Sequence, residues 1–472
     1  MEYRTEKDAL GERKIPSDAY YGIQTLRATE NFPVSGRRMH AQFIRAYLMV
    51  KKACAGTHLE LGSLDEERGS AIIQACEEAL AGKMSDQWIV DVYQAGAGTS
   101  FNMNVNEVLA NRALEILGRE RGDYAFLSPN DHVNRSQSTN DTFPTAMHVS
   151  ALHMVQELTD VLDRVIQAFA AKGKEFSDII KSARTHLQDA VPITLGQEFL
   201  AFRTGIYQAR SQIGERSRLL EEVALGGTAA GTGLNTPPGF RETAVHNLGK
   251  ISGLNLKPAS DPRAAMQSFL PAAAVSSALK ELALELIKVA NDFRLLSSGP
   301  RTGLREIVLP PVQPGSSIMP GKVNPVMAEC LNMIAFQVVG NDLTCAMAVQ
   351  AGQLDLNVMM PVMIYNILDS MHLLTNYLPV FVEKCVLGIT ANRERCRQYF
   401  EQSVALATIL NPRIGYLRAA EIAKESEKRG VSVAELVLEK GLLTREELEA
   451  ILDRETVTGQ LDGNPQKQEG YI

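Results

Sequence analysis

A mainly helical fold is predicted by three features of the sequence. Aromatic residues make up only 6% of a chain that is 45% hydrophobic and rich in Ala and Leu, a balance favouring helix over β-sandwich. Five long stretches, about 146–173, 195–224, 272–298, 326–354 and 362–390, lack clusters of turn residues. In the third, Val275, Leu279, Leu282, Leu286, Val289, Phe293 and Leu296 step by alternating fours and threes, a seven-residue repeat that marks the seam of left-handed helix packing. A helix of that length spans about 40 Å, so five of them make a long bundle.

The elements follow in order. Residues 1–40, punctuated by Gly11, Pro16, Gly22, Pro33 and Gly36, are expected to be irregular. Residues 41–60 and 68–83 have helical apolar spacing, and 104–118 predicts another helix behind the small-residue loop QAGAGTSFNM. A polar loop is expected at 128–145. The long stretches follow, and between Lys322 and Lys384 they contain no lysine or arginine. Helices apolar on most sides need neighbours on most sides, so a homo-oligomer with a core of these helices is predicted. From 396 onward short charged helices return: 431–441, and 443–453 capped by Thr444 ahead of Glu446 and Glu447. The last ten residues are expected to fray. The chain thus divides into an N-terminal part, 1–138, a central long-helix part, 139–395, and a C-terminal part, 396–472.

Composition also excludes functions. A net charge of −7 gives no global field for nucleic acid or anionic membrane. No run approaches the ~18 apolar residues of a spanning helix, and an N-terminus charged from its second residue is not expected to be a secretory signal. The six cysteines show no C-x-x-C spacing and are expected to be reduced and mostly buried in a cytoplasmic protein, with no zinc. The sequence has no G-x-S-x-G elbow, no H-E-x-x-H and no Walker lysine. The glycine-rich run 226–233 lacks the lysine of a phosphate loop and predicts a tight turn between bundle helices.

Three motifs carry chemistry. Residues 314–329, PGSSIMPGKVNPVMAE, place Ser316, Ser317 and Lys322 between Gly315 and Gly321, with Asn324-Pro325 as helix cap and first turn. That composition suits either an anion site or an ordinary capped loop. Two clusters, 98–104 and 136–141, are dense in hydroxyls and amides, suited to binding carboxylates or to turn and cap chemistry. His186, flanked by Thr185 and Gln188-Asp189 between two helical stretches, is placed to be held in one tautomer.

The block at 315–324, GSSIMPGKVN, resembles the signature loop of the aspartase/fumarase superfamily. GAGTSFNMNVNEVLAN at 96–111, NRSQSTNDTFPT at 134–145, RTHLQDAVPITLGQE at 184–198 and GGTAAGTGLNT at 226–236 match the same family in order. The resemblance covers nearly the whole chain. It implies a three-domain fold whose central bundles tetramerise into a twenty-helix core, with each active site shared between subunits. The segments DAYYGIQTLRATENFPVSG and GPRTGLREIVLPPVQPGSS, and Thr139 at the centre of Ser138-Thr139-Asn140, resemble the aspartase branch more than the fumarases.

What the resemblance implies is reversible removal of ammonia from a small dicarboxylate, L-aspartate, to give fumarate without metal or cofactor. Ser316 matches the general base, with Lys322 and His186 also catalytic. Thr99, Ser138, Thr139 and Ser317 match the donors around the carboxylate beside the reacting carbon. Lys322 and Asn324 match contacts to the other carboxylate, and Asn140, Thr185 and His186 match the surroundings of the amino group. The glycine-flanked loop is expected to close over substrate. Hydration of fumarate to L-malate, as in class II fumarases, is the alternative, and a binding protein that has lost activity is the non-enzymatic one.

Overall fold

The computed structural model describes residues 2–453 and 457–458; the last ten residues, expected above to fray, lie outside them. The five long stretches fold as the helices Thr139–Glu175, Leu195–Ser217, Leu270–Leu296, Val326–Gln350 and Met360–Lys384. The first begins inside the expected polar loop. Ser138 caps it: its hydroxyl accepts the Asn140 N–H at 3.1 Å, while the Asp141 carboxylate accepts the Ser138 N–H at 3.0 Å. Pro144, within the second turn, removes only the bond its N–H would give to the Asn140 carbonyl. The second helix stops short of 224 because Arg218–Glu221 tightens into a 3₁₀ turn.

The chain packs as two compact units. One comprises Met1–Asp160, Ala209–Leu284 and Ile334–Thr375; the other comprises Val161–Gln208, Glu285–Met333 and Asn376–Ile472. The boundaries fall within the long helices. In the first unit Phe43, Tyr47, Phe101 and Phe143 form a ring cluster with centroids 4.7 to 5.9 Å apart. Ser276 and Lys280 there donate to the Asp342 carboxylate at 2.8 and 2.6 Å, joining two long helices. In the second unit Phe169, Phe199, Phe202, Phe293 and Phe381 form another cluster, at 5.6 to 6.3 Å. Asn332 donates to Asn291 at 2.9 Å and the Tyr377 hydroxyl to the Met327 carbonyl at 2.8 Å. All seven residues of the predicted seam are buried. Five of the six cysteines are buried and Cys330 is half-buried.

Three local expectations are corrected. Residues 1–40 are not irregular: Tyr3–Asp8 pairs antiparallel with Gly11–Pro16, and Ile23–Asn31 is helical. Charged residues crowd both strands and only Glu6 and Ile15 are buried, so no apolar alternation announces them. The Arg4 guanidinium supports the hairpin instead, donating to the carbonyls of Pro16, Ala19 and Tyr21 at 3.1, 2.7 and 2.7 Å. A second hairpin, Ile180–Thr185 with Gln188–Thr194, stands where only a link between helices was expected. The run 226–233 does turn, but it leads into the helix Phe240–Ser252, not directly into the next long helix.

The C-terminal helices Val433–Glu439 and Arg445–Ile451 both start with capping boxes, Ser432 with Glu435 and Thr444 with Glu447. They pack on a separate apolar cluster that includes Phe400, Leu410, Ile422, Leu436 and Val437. No helix among the described residues is long and apolar enough to cross a membrane.

Candidate active site

The hydroxyl and amide clusters of the sequence meet in the first unit. Ala97 and Gly98 both have positive φ, 61° and 83°, and turn the chain so that the helix Thr99–Ile116 starts abruptly at an exposed Thr99. Only glycine fits at 98, because a Cβ there would lie 2.1 Å from the Phe143 ring. One turn into this helix, Asn102 donates to the Thr139 hydroxyl at 2.9 Å and to the Asn134 side-chain oxygen at 3.2 Å. Asn106 donates to the same oxygen at 3.2 Å. Thr139 is buried, whereas Ser138 and Asn140 are half-buried; Asn140 donates to the Ala229 carbonyl at 2.9 Å.

Two buried carboxyls hold this scaffold. Asp141 accepts N–H groups from Ser138, Gly226 and Thr228 at 3.0, 3.1 and 2.9 Å, which ties the glycine-rich turn to the head of the long helix. Burial still pushes its carboxyl up to about 7. Glu107 accepts N–H groups from Gly22, Gln24 and Thr25 and the Thr25 hydroxyl, so it fastens the N-terminal helix; burial pushes it, too, up to about 7. A cavity of about 630 Å³ opens beside Thr99, Ser100, Met103 and Glu107.

The second unit carries the signature loop. Gly315 donates to the Lys322 carbonyl at 2.8 Å, and Asn324 returns a side-chain N–H to the Gly315 carbonyl at 2.8 Å. These two bonds close the loop into a ring, and Gly315 is required there because a Cβ would meet the Lys322 oxygen at 2.6 Å. The Ser316 hydroxyl oxygen accepts two backbone N–H groups, from Ile318 at 3.2 Å and Met319 at 2.9 Å. Ser317, Ile318 and Lys322 are exposed, and Lys322 and Asn324 line a cavity of about 600 Å³ with Arg294, Ser298 and Glu329. The expected capping by Asn324 is corrected: its side chain bridges to the base of the loop, and only its backbone carbonyl serves Val326.

His186 and Thr185 occupy the tip of the second hairpin. His186 and Leu187 form a two-residue turn with φ of 56° and 60°, a type I′ pattern built without the usual Asn or Gly. Thr185, His186 and Leu187 are exposed, and among the described residues no side chain fixes the His186 tautomer, contrary to expectation. The hairpin is anchored from below. Buried Lys181 pairs with Glu198 and Glu306 at 2.8 Å each, and Arg184 pairs with Glu306 at 2.8 Å. Thus Thr99, Ser138, Thr139 and Asn140 lie in the first unit, and Thr185, His186, Ser316, Ser317, Lys322 and Asn324 in the second.

Reading the sequence missed Asn134, Lys51 and the role of Asn102. The density of amides at 102–106 was a visible signal; the shared acceptor of Asn102 and Asn106, the Asn134 oxygen, and the Lys51 ammonium that also donates to it were not.

Comparison with known proteins completes the picture. Residues 11–340 match the family described as Lyase, and 406–459 match the Fumarase C C-terminus. Aspartate ammonia-lyase of Bacillus subtilis is 51% identical over 452 residues, covering 96% of this chain and 95% of that protein. The crystal structure of a Brucella melitensis protein described as fumarate lyase:delta crystallin, bound to cobalt, superimposes with a TM-score of 0.94 at 50% identity, covering 97% of this chain and all of that one. A class II fumarase from Schistosoma mansoni gives 0.93 at 37% identity, covering 98% and 100%. The chain belongs to the aspartase/fumarase superfamily and is a lyase.

Proposed function

We propose that the protein catalyses the reversible elimination of ammonia from L-aspartate to give fumarate. The observation that carries this reading is the near-full-length likeness to aspartate ammonia-lyase. The Cβ proton of aspartate is weakly acidic, because the carboxylate beside it is already negative. Ser316 takes that proton, and the electron pair moves into the carboxylate as a dianionic aci-carboxylate. The pair then returns to form the C=C bond while the C–N bond breaks and ammonia leaves with its electrons.

Two geometric features support these roles. A serine serves as base only where its alkoxide is stabilised, and the two N–H groups donated to the Ser316 oxygen supply that stabilisation. The dianion needs donors that strengthen as charge develops, and Thr99, Ser138, Thr139 and Ser317 are neutral donors suited to it. In this reading Lys322 and Asn324 bind the distal carboxylate, and Asn140, Thr185 and His186 surround the amine.

The working enzyme in this reading is a homotetramer whose sites combine the hydroxyl and amide clusters, the His186 hairpin and the 315–324 loop from different copies. On the helix Val326–Gln350, Met333, Phe336, Leu343 and Met347 are spaced by threes, fours and sevens, and each is more than half exposed. A stripe with that period suits a second copy of the same helix. Hydration of fumarate to L-malate is the second reading, favoured by the fold shared with a class II fumarase. Purified protein given L-aspartate or L-malate separately, with fumarate followed by ultraviolet absorbance, decides. Fumarate from aspartate alone is expected; fumarate from malate alone overturns the amine reading.

A further inference from the structure

The most unusual charge outside the assigned site residues is Lys51. It lies on the helix Ala41–Glu60 and is fully buried. Buried ammonium groups are normally paired with carboxylates. Among the described residues Lys51 makes no ion pair; its ammonium donates to two neutral oxygens, those of Asn134 at 3.0 Å and Gln137 at 2.9 Å.

An ammonium can only donate, so it dictates which way its partners face. The Asn134 amide must turn its oxygen to Lys51, and its nitrogen is then directed to the Gln137 carbonyl, at 3.2 Å. The Asn134 side-chain oxygen also receives the amide nitrogens of Asn102 and Asn106. With its nitrogen so directed, Asn102 reaches the Thr139 hydroxyl as a donor. A hydroxyl that accepts from one side keeps its single proton for the other. The side-chain oxygens of Asn102 and Asn106 are left buried without a partner. Leaving two buried oxygens unpaired is costly, and what fixes the two amides in this orientation is the Asn134 oxygen to which both nitrogens donate.

We propose that Lys51 is a positioning residue that sets the hydrogen-bond direction of the chain Lys51–Asn134–Asn102–Thr139, so that Thr139 presents its proton to the substrate carboxylate. Without the ammonium, Asn134 and Asn102 flip, the Asn102 oxygen becomes an acceptor, and Thr139 turns its proton inward. Burial lowers the Lys51 ammonium to about 8, and Lys51→Met keeps an unbranched side chain of similar length while removing the charge and the donor. The proposal rests on the carboxylate-binding role of Thr139 given above.

The test is a double-mutant cycle in the full-length protein. Lys51→Met removes the charge. Asn102→Asp makes the middle of the chain accept instead of donate and leaves Lys51 in place, so it tests the same idea if Lys51→Met fails to fold. Each is expected to lower kcat for fumarate formation about 10²-fold, as for loss of one preorganised donor, with a smaller change in KM. In a Thr139→Val background neither is expected to lower it further. Losses that multiply in that background, or no loss at all in the single variants, overturn the proposal. The same cycle read as the affinity for succinate by calorimetry needs no turnover. If the wild type makes no fumarate from aspartate or malate, the functional reading fails while the succinate cycle still decides on Lys51. Non-additive succinate affinities then support it; additive ones, or no binding of succinate, overturn it.

Discussion

Gly98 and Gly321 share a positive φ, 83° and 82°, in opposite surroundings. A side chain on Gly98 would run into the Phe143 ring at 2.1 Å; one on Gly321 would meet nothing within 4 Å. The first belongs to a packed scaffold that sets the orientation of amides and hydroxyls before any ligand arrives. The second belongs to a loop whose serine and lysine are held by a few backbone hydrogen bonds. One region trades freedom for direction, and the other leaves open space around the serine that the proposed reaction uses as its base.

That contrast can be broken or sharpened. The largest effect is expected from Ser316→Ala, which should lower kcat by about 10³-fold as the loss of a general base and leave the melting temperature nearly unchanged. A matching loss of stability would mean that the loop is structural. Next, Gly98→Ala is expected to cost roughly 3 kcal/mol or more in urea denaturation, since it combines a strained φ with overpacking against a buried ring. Equality with Gly321→Ala would erase the distinction between the regions.

The scaffold should also carry a pH signature. Glu107 is raised to about 7 when folded, above the usual carboxylate value. Between about pH 4.5 and 7 the folded state therefore holds a proton that the unfolded state releases, so this group's contribution is fully present below that window and declines as pH rises through it. Urea midpoints of the wild type should fall from pH 4.5 to 7 more steeply than those of Glu107→Gln; parallel curves would remove Glu107 as the source. The smallest effect is expected from Gly321→Ala, about 1 kcal/mol of backbone strain with activity within a few-fold, read by thermal melting and initial rates.

The same contrast explains what was legible in the sequence. The long helices were readable because their signal is local: a seven-residue repeat and an absence of turn clusters survive in one dimension. The capping box at Thr444 was readable for the same reason. The hairpin at 180–194 was not, because its tip is His186-Leu187 instead of the Asn-Gly that marks such turns. The N-terminal hairpin was hidden because one arginine and a buried glutamate do the work that alternating apolar residues usually do. For the candidate site, the hydroxyl and amide clusters stood out by composition. Their connection through Asn134 to Lys51 did not, since it joins residues far apart in sequence.

The exposed stripe on Val326–Gln350 has a consequence beyond the site itself. A lone, newly made chain presents Met333, Phe336, Leu343 and Met347 to water at the regular spacing that invites any apolar partner, right or wrong. In the homotetramer proposed above, covering that stripe with another copy is a collision between molecules, so its rate depends on how many copies are near. On that reading protein concentration is a term in the stability of the folded state. Dilution, slow synthesis or a truncated neighbour would then act on this protein as heat or denaturant acts on one that stands alone.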